Sequence, residues 1–569
     1  MARSTRRFTA AAALSLLALT AASCGDSKST TDTATETTAA AAAVTTVLSQ
    51  EGGTFIDGAQ LVADNLTSYD PGLVQTLDES QVTTAIYDGL TEFDFTDKEK
   101  PVLKGLLAEK FEPNADATVW TFTIKKEMTF DNGDPVLPSS FKFAWERNAR
   151  ASFASPYGYL ISYVKDGASM QKENSTVTTL DAIKADDEAM TLEVTLESAN
   201  ADFAAIVSHP FFGPLPEKLV KEHMDDWGTT LMVGNGPFKM EAAANEQEVV
   251  LVRNDKWGGN VLGDEKANLD RIEFKIQKDP EGGYTAFEAG DTMSASIPPG
   301  KFGAAQKDHN NTVKSGTLGV YFFVFGFKNN PQLSDEGGKD NSLLRKAISM
   351  AIDREQINQK VYEGTRNLPT GVVPPGIPGF KKDLCKFCAF NIDESKKLLQ
   401  EWKDAGGTLN GPITINFNTG GGHEDVVSIV QENLKAIGIE STTDPISEKY
   451  FGTMAKGGCR FCRAGWYADY PTYGNFTLDL FSTTAVGGNN NGSFSDTKFD
   501  DLLAKAQAEV DDTKRGELYN QAEEYLLNDR MAVVPFNWYT GDQVYGDKVV
   551  NYDQPPLGII LWERVGIKK

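Results

Sequence analysis

The sequence predicts a mixed α/β fold of more than one domain, and three observations carry that expectation. The chain has 569 residues, enough for two to four domains that each bury a core. Its apolar share is 40%, its charged share 24% and its aromatic share 10%, the balance of an ordinary globular protein. Along the chain, hydrophobic periodicity changes between the two-residue repeat of strands and the 3.6-residue repeat of helices.

The N-terminus is an export signal by its pattern. Met1 to Arg7 carries Arg3, Arg6 and Arg7 and no acid, and Phe8 to Leu19 is apolar and rich in Ala and Leu. That run fits a signal segment and is too short to cross a bilayer. Ala21-Ala22-Ser23 then leads into Cys24. The arrangement resembles a bacterial lipobox, with residues 1–23 cleaved and Cys24 diacylated, although Ala21 stands where Leu is commoner. An ordinary signal peptide with an incidental cysteine is the alternative. Two acyl chains would anchor the protein stably where one would not. Gly25 to Thr46 is a low-complexity run of Thr, Ala and Ser, so 24–47 reads as a lipidated cysteine and a flexible stalk.

Beyond the stalk, Trp120, Phe122 and Ile124 alternate with Thr121, Thr123 and Lys125, which predicts a half-buried strand followed by a turn at Asp131-Asn132-Gly133-Asp134. Met190, Leu192, Val194 and Leu196 predict another strand. Val320 to Phe327, the longest later apolar run, is of strand length and broken by Gly326, so no later segment is long enough to span a membrane. Leu343, Leu344, Ala347, Ile348, Ala351 and Ile352 repeat at helical spacing, as do Leu502, Leu503, Ala506 and Val510. No repeat of solenoid period is evident.

The net charge of −25 argues against nucleic acid, which requires a basic stripe, and against electrostatic attachment to an anionic membrane. Catalytic signatures are missing too. The four histidines, His209, His223, His309 and His423, are far apart. There is no H-E-x-x-H zinc helix, no G-x-S-x-G elbow and no phosphate-binding loop. Gly234-Asn235-Gly236-Pro237 contains a G-x-G but reads as a turn. The chain therefore reads as a non-enzyme, with an exported hydrolase as the remote alternative. Apart from Cys24, the cysteines form two C-x-x-C pairs, Cys385/Cys388 and Cys459/Cys462. In an exported protein they read as disulfides, with a four-thiolate structural zinc site or a redox motif as alternatives. No other cofactor is expected.

From Gly52 to the C-terminus the chain resembles the family-5 solute-binding proteins, the peptide- and nickel-binding receptors of ABC importers, and within them the oligopeptide receptors. Ser68-Tyr69-Asp70-Pro71 and Ile86-Tyr87-Asp88-Gly89-Leu90 carry the opening of the resemblance. Trp120 to Lys126, Phe130-x-Asn132-Gly133-x-Pro135 and Phe141-x-Phe143-x-Trp145-x-Arg147 continue it. Gly234-x-Gly236-Pro237-Phe238, Leu344-Arg345-x-Ala347 and Arg463-Ala464-Gly465-Trp466-Tyr467-Ala468-Asp469-Tyr470 follow. The resemblance implies a two-lobed periplasmic-binding-protein-like fold (type II) with an extra inserted domain and a ligand cleft between lobes. Domain I would comprise 48–87, 217–319 and 534–569, domain II the insertion 88–216, and domain III 320–533.

It also implies a short peptide as ligand, permease subunits as partners, a monomer, and a location on the outer face of the cytoplasmic membrane. A receptor indifferent to peptide sequence must grip the ammonium, the carboxylate and the backbone, and a dehydrated cleft must pair each charge. By this resemblance Asp469 would take the α-ammonium and Arg463 a carboxylate, with Trp466 and Tyr467 walling the side-chain pockets and Gly465 among the ligand-binding residues. Tyr157, His209 and His423 match cleft positions, Leu77 lies where backbone groups pair with the ligand, and Asn489 lies in a polar loop that touches it. Tyr362 stands where the oligopeptide receptors carry a lysine serving longer peptides, which leaves peptide length open. The alternative is the same receptor holding a nickel chelate, haem, opine or oligosaccharide.

Overall fold

The computed structural model describes residues 49–568, except 51, 336, 337 and 339. The signal segment 1–23, Cys24 and the stalk to residue 47 lie outside the described residues. The rest forms two lobes.

The first lobe holds two four-stranded sheets. In one, Ala108–Pro113, Val119–Ile124, Thr191–Thr195 and Ile183–Asp186 lie side by side, all antiparallel. Trp120, Phe122 and Ile124 point inward while Thr121 is exposed, as the alternation requires. Phe122 faces Leu192, and both are fully buried. The turn after this strand closes as expected, with Gly133 N donating to Phe130 O at 2.9 Å. In the other sheet Thr54–Asp57, Arg271–Lys275, Glu248–Arg253 and Phe238–Met240 are neighbours in that order. One continuous core joins both sheets.

Helix Leu77–Ile86 sits where these parts meet. Thr76 caps it in a capping box with Glu79, whose buried carboxylate also accepts from the backbone of Ser68 at 3.0 Å and Gln75 at 2.6 Å. Gly234-Asn235-Gly236 clamps its far end: Gly236 N donates to Ile86 O at 2.7 Å, and a Cβ on Gly234 would stand 2.1 Å from that oxygen. A methyl group cannot occupy that space without backbone movement. Gly234→Ala is therefore expected to cost about 1–3 kcal/mol in chemical denaturation; unchanged stability would show that the clamp yields freely.

The second lobe is built on a six-stranded sheet in the order Ser294–Ser296, Val533–Tyr545, Thr312–Phe325, Phe461–Tyr467, Ile413–Asn418, Ser441–Ile446. The apolar run beginning at Val320 falls in the long third strand, which ends at Phe325. It is apolar throughout because both faces are covered. Tyr321, Phe323 and Phe325 enter one core with helices Ser342–Ala351, Ile392–Asp404 and His423–Ala436, while Val320, Phe322 and Val324 enter another with helices Tyr473–Phe481 and Thr497–Ala508. Leu344, Ala347, Ile348 and Ala351 form the buried stripe expected of the first of these helices. Val510 departs from expectation. Its helix stops at Ala508, Asp511 caps the next one by accepting from Lys514 N, and Val510 in the connector is 53% exposed. Two adjacent helices share one apparent period there. The expected boundaries at 319/320 and 533/534 fall within Thr312–Phe325 and at the start of Val533–Tyr545, the third and second strands of this sheet.

The cysteines close within each motif. Cys385–Cys388 has an S–S distance of 1.95 Å and Cys459–Cys462 of 2.00 Å. The zinc alternative is corrected: sulfurs bonded to one another offer no thiolates, and no group of three or more metal-ligating side chains occurs among the described residues. Each bridge closes so short a loop that its entropic contribution is only about 2 kcal/mol. Reduction is thus expected to lower the melting temperature modestly without unfolding the protein, which calorimetry with and without a reductant would check.

Candidate ligand-binding cleft

Between the lobes lies a cavity of about 830 Å³, near the upper end of the roughly 300–1,000 Å³ usual for ligand sites. Eight of the ten ligand residues expected from sequence line it: Leu77, Tyr157, His209, Gly465, Trp466, Tyr467, Asp469 and Asn489. They come from both lobes and from positions up to 412 apart.

Asp469 is placed by strand Phe461–Tyr467, which pairs with Thr312–Phe325 in the register Tyr467 to Gly319 and Arg463 to Phe323. Ala468 N extends the pairing to Leu318 O at 2.7 Å, and the chain then turns into helix Tyr473–Phe481. From that helix Asn475 braces the loop. Its Oδ1 accepts from Asp469 N at 3.0 Å and from Trp466 Nε1 at 2.9 Å, and its Nδ2 donates to Asp479 at 2.9 Å.

The facing lobe supplies tyrosines. Tyr159 Oη donates to the Asp469 carboxylate, Tyr157 approaches it as well, and Tyr163 Oη donates to Asp479 at 2.5 Å. These bonds link the lobes, as do Arg515 Nε on Asp202 at 2.9 Å and Tyr519 Oη on Asp202 at 3.2 Å. Burial is the main force on Asp469 and pushes its carboxyl up to about 7, with Asp479 adding to the rise and the tyrosine and Asn475 hydrogen bonds opposing it. No ion pair among the described residues includes Asp469. It is a carboxylate held in place with no cation to neutralise it.

Tyr157 packs against His209 with ring centroids 4.4 Å apart. The His209 Nδ1 accepts from Phe211 N at 3.1 Å, and burial pushes the ring down to about 3, so it is neutral. Tyr467 stacks on Tyr539 at 4.6 Å yet leaves 41% of itself open to the cleft, and Phe451 is equally open. Large apolar groups facing a cavity mark a surface that a ligand covers.

Arg463 and His423 stand outside the lining. Arg463 lies behind Gly465 with its guanidinium 4.9 Å from the Tyr321 ring; it donates to Asn418 Oδ1 at 3.2 Å and Tyr539 Oη at 3.4 Å, and its buried Nε has no partner. His423 Nδ1 is 3.2 Å from Tyr321 Oη, and burial with the Arg463 charge lowers the ring to about 4. Residues that the sequence reading missed include Tyr159, Asp88, Glu92, Trp257, Phe451 and Glu563. Tyr159 is two positions from Tyr157 and Asp88 lies in a quoted block, but nothing in the sequence aims either at the cleft.

A family model described as bacterial extracellular solute-binding proteins, family 5 Middle, matches residues 102–488. The chain belongs to the family-5 extracellular solute-binding proteins. It is 26% identical over 517 residues to the oligopeptide-binding protein OppA of Bacillus subtilis, covering 88% of this chain and 91% of that one. It is 28% identical over 539 residues to the periplasmic oligopeptide-binding protein OppA of Salmonella typhimurium, covering 91% and 94%. The murein tripeptide binding protein MppA of Escherichia coli superposes with a TM-score of 0.74 over 92% of this chain and 99% of that one, at 21% identity. The fold is thus the two-lobed type II arrangement of this family, with the Asp469 cavity at the junction of its lobes. Among the described residues no helix is long and apolar enough to cross a membrane.

Proposed function

We propose that this family-5 protein is the extracytoplasmic receptor of an ABC importer, capturing short peptides in the cleft and delivering them to a membrane permease. The observation that carries the reading is Asp469, a half-buried carboxylate with no cationic partner among the described residues, facing a cavity lined by aromatic rings. An α-ammonium is the group that such a carboxylate lacks, and every free peptide brings one. The names of the relatives, oligopeptide-binding proteins, support the same ligand class. Arg463, with no carboxylate partner among the described residues, would receive the ligand's carboxylate when the ligand is long enough. Arg463 lies six positions before Asp469, the first four steps in strand Phe461–Tyr467, a span of up to roughly 20 Å at about 3.3 Å each, so shorter peptides would leave Arg463 unused.

We also propose that residues 48–87, 217–319 and 534–569 form domain I, 88–216 domain II and 320–533 domain III, with the six-stranded sheet shared between domains I and III. A monomer tethered by acylated Cys24 to the outer face of the membrane would suit delivery to a permease. An intact mass of the detergent-extracted protein starting at unmodified Met1 would refute the tether.

The test of the function is thermal melting of the full chain with free and with N-acetylated peptides. A free peptide at a hundred times its Kd is expected to stabilise the protein by about 2.7 kcal/mol, and its acetylated form at the same concentration far less. Stabilisation by neither would overturn the peptide reading, and equal stabilisation by both would overturn the ammonium role of Asp469.

A further inference from the structure

We propose that the cleft favours peptides carrying a lysine or arginine side chain, which Asp88, Glu92 and Glu563 receive. The proposal rests on the peptide reading above and names which peptides that same cavity prefers.

The described residues that line the cavity include five carboxylates, Asp78, Asp88, Glu92, Asp469 and Glu563, and no lysine or arginine. His209 is neutral. Asp78 is occupied, accepting from Val62 N at 2.9 Å and Asn65 Nδ2 at 3.0 Å. Asp469 is held by its tyrosines and Asn475. The other three acids act on one another and share no hydrogen-bond partner with Asp469, so they form a second acidic region of the same cavity.

Their hydrogen-bond donors are neutral. Trp257 Nε1 donates to Asp88 Oδ2 at 2.8 Å, Asn260 Nδ2 to Glu563 Oε1 at 3.0 Å, and Val261 N to Glu92 Oε2 at 3.2 Å. Asp88 and Glu563 are more than nine-tenths buried. None of the three belongs to an ion pair among the described residues; Lys125 acts on Asp88 and Arg564 on Glu563 only through space. Burial first, then the neighbouring acids, raises all three carboxyls, Glu92 to about 8.

Three acids crowded into one wall resist ionisation in the empty cleft, and a cation inside it would favour their ionised forms. Guanidinium suits the place best, with five donors for carboxylate oxygens, and ammonium offers three. The wall also provides for the rest of such a side chain: Phe93 and Leu106 are apolar surface for the aliphatic stem, and the Trp257 ring adds an aromatic face. An acidic ligand side chain would oppose the ionisation of these carboxyls where a cation favours it, which is the discriminating half of the preference.

Isothermal titration of the full chain with Ala-Lys-Ala, Ala-Arg-Ala, Ala-norleucine-Ala and Ala-Glu-Ala tests this, with Lys-Ala-Ala and Ala-Ala-Lys placing the cation at each other position. At one position or more, lysine or arginine is expected to bind at least about tenfold more tightly than the neutral peptide, and the glutamate peptide most weakly. In Glu92→Gln and Glu563→Gln the lysine-to-norleucine ratio should fall toward one. Neutral peptides binding as well as cationic ones in the parent protein would overturn this preference while leaving the peptide function standing. A ratio unchanged in both variants would also overturn it. No binding by any member of the set would overturn the peptide reading and this preference together.

Discussion

Replacing Asp469 with alanine is expected to weaken binding of a free peptide by about 2–5 kcal/mol, or about 30- to 5,000-fold, and to leave N-acetylated peptides close to their already weak binding. The loss comes from stranding the ligand's ammonium in a site emptied of water. Calorimetric titration of the two peptide forms against both proteins measures it; equal losses for free and acetylated peptides would show that Asp469 does not meet the ammonium.

The same carboxylate predicts a pH profile. In the empty cleft its carboxyl loses the proton only near pH 7, and an ammonium ligand requires the ionised form and holds it to lower pH. Affinity should therefore be full above about 7 and fall by up to about tenfold per unit below it. Above about 8 the free peptide's own amine loses its proton, so the profile is a bell. For the unliganded fold the sign is reversed relative to a salt-bridged aspartate. With a folded value above the unfolded one, the contribution of Asp469 to stability is fully present below about 3.9 and is lost as pH rises to about 7. In Asp469→Asn the acidic limb of the binding profile should vanish.

The largest expected effect on stability falls elsewhere, at Asp70 and Arg147. The Asp70 side chain is 1% exposed and that of Arg147 12%. Arg147 donates to both Asp70 oxygens, at 3.1 Å through Nη1 on Oδ1, and Gly72 N donates to the same Oδ1 at 2.9 Å. Its guanidinium also lies 4.2 Å over the Phe153 ring. Asp70→Ala leaves a buried guanidinium without its counter-ion and is expected to cost about 3–5 kcal/mol. Arg147→Ala strands the carboxylate and removes the ring contact. Replacing both, Asp70→Asn with Arg147→Met, should cost clearly less than the sum of the single alanine variants, because neither charge is left buried alone. Additive costs in urea denaturation would show that the pair is not coupled.

That pair also shows what was legible in advance. Ser68-Tyr69-Asp70-Pro71 and Phe141-x-Phe143-x-Trp145-x-Arg147 were readable as blocks, but not as halves of one ion pair 77 residues apart. The strands at 119–124 and 191–195 were readable because alternation records one buried face. Helix Ser342–Ala351 was readable because its stripe meets a single core. Val510 was not, since two capped helices in succession share a period. The C-x-x-C pairs could serve disulfides or zinc until their sulfurs were located.

The sequence by itself determined the α/β class, most of the buried faces and the Arg463 to Asp469 segment, because these are local patterns or a family's ordered blocks. Only the tertiary structure decided which of those residues share a cavity. It set Asp469 against Tyr159 of the facing lobe, placed Arg463 and His423 behind the lining, and brought Asp88, Glu92 and Glu563 to one wall. The reason is physical: charge and burial in a cleft are sums over neighbours from distant parts of the chain. A carboxylate's lack of a partner therefore becomes visible only when all of those neighbours are in place.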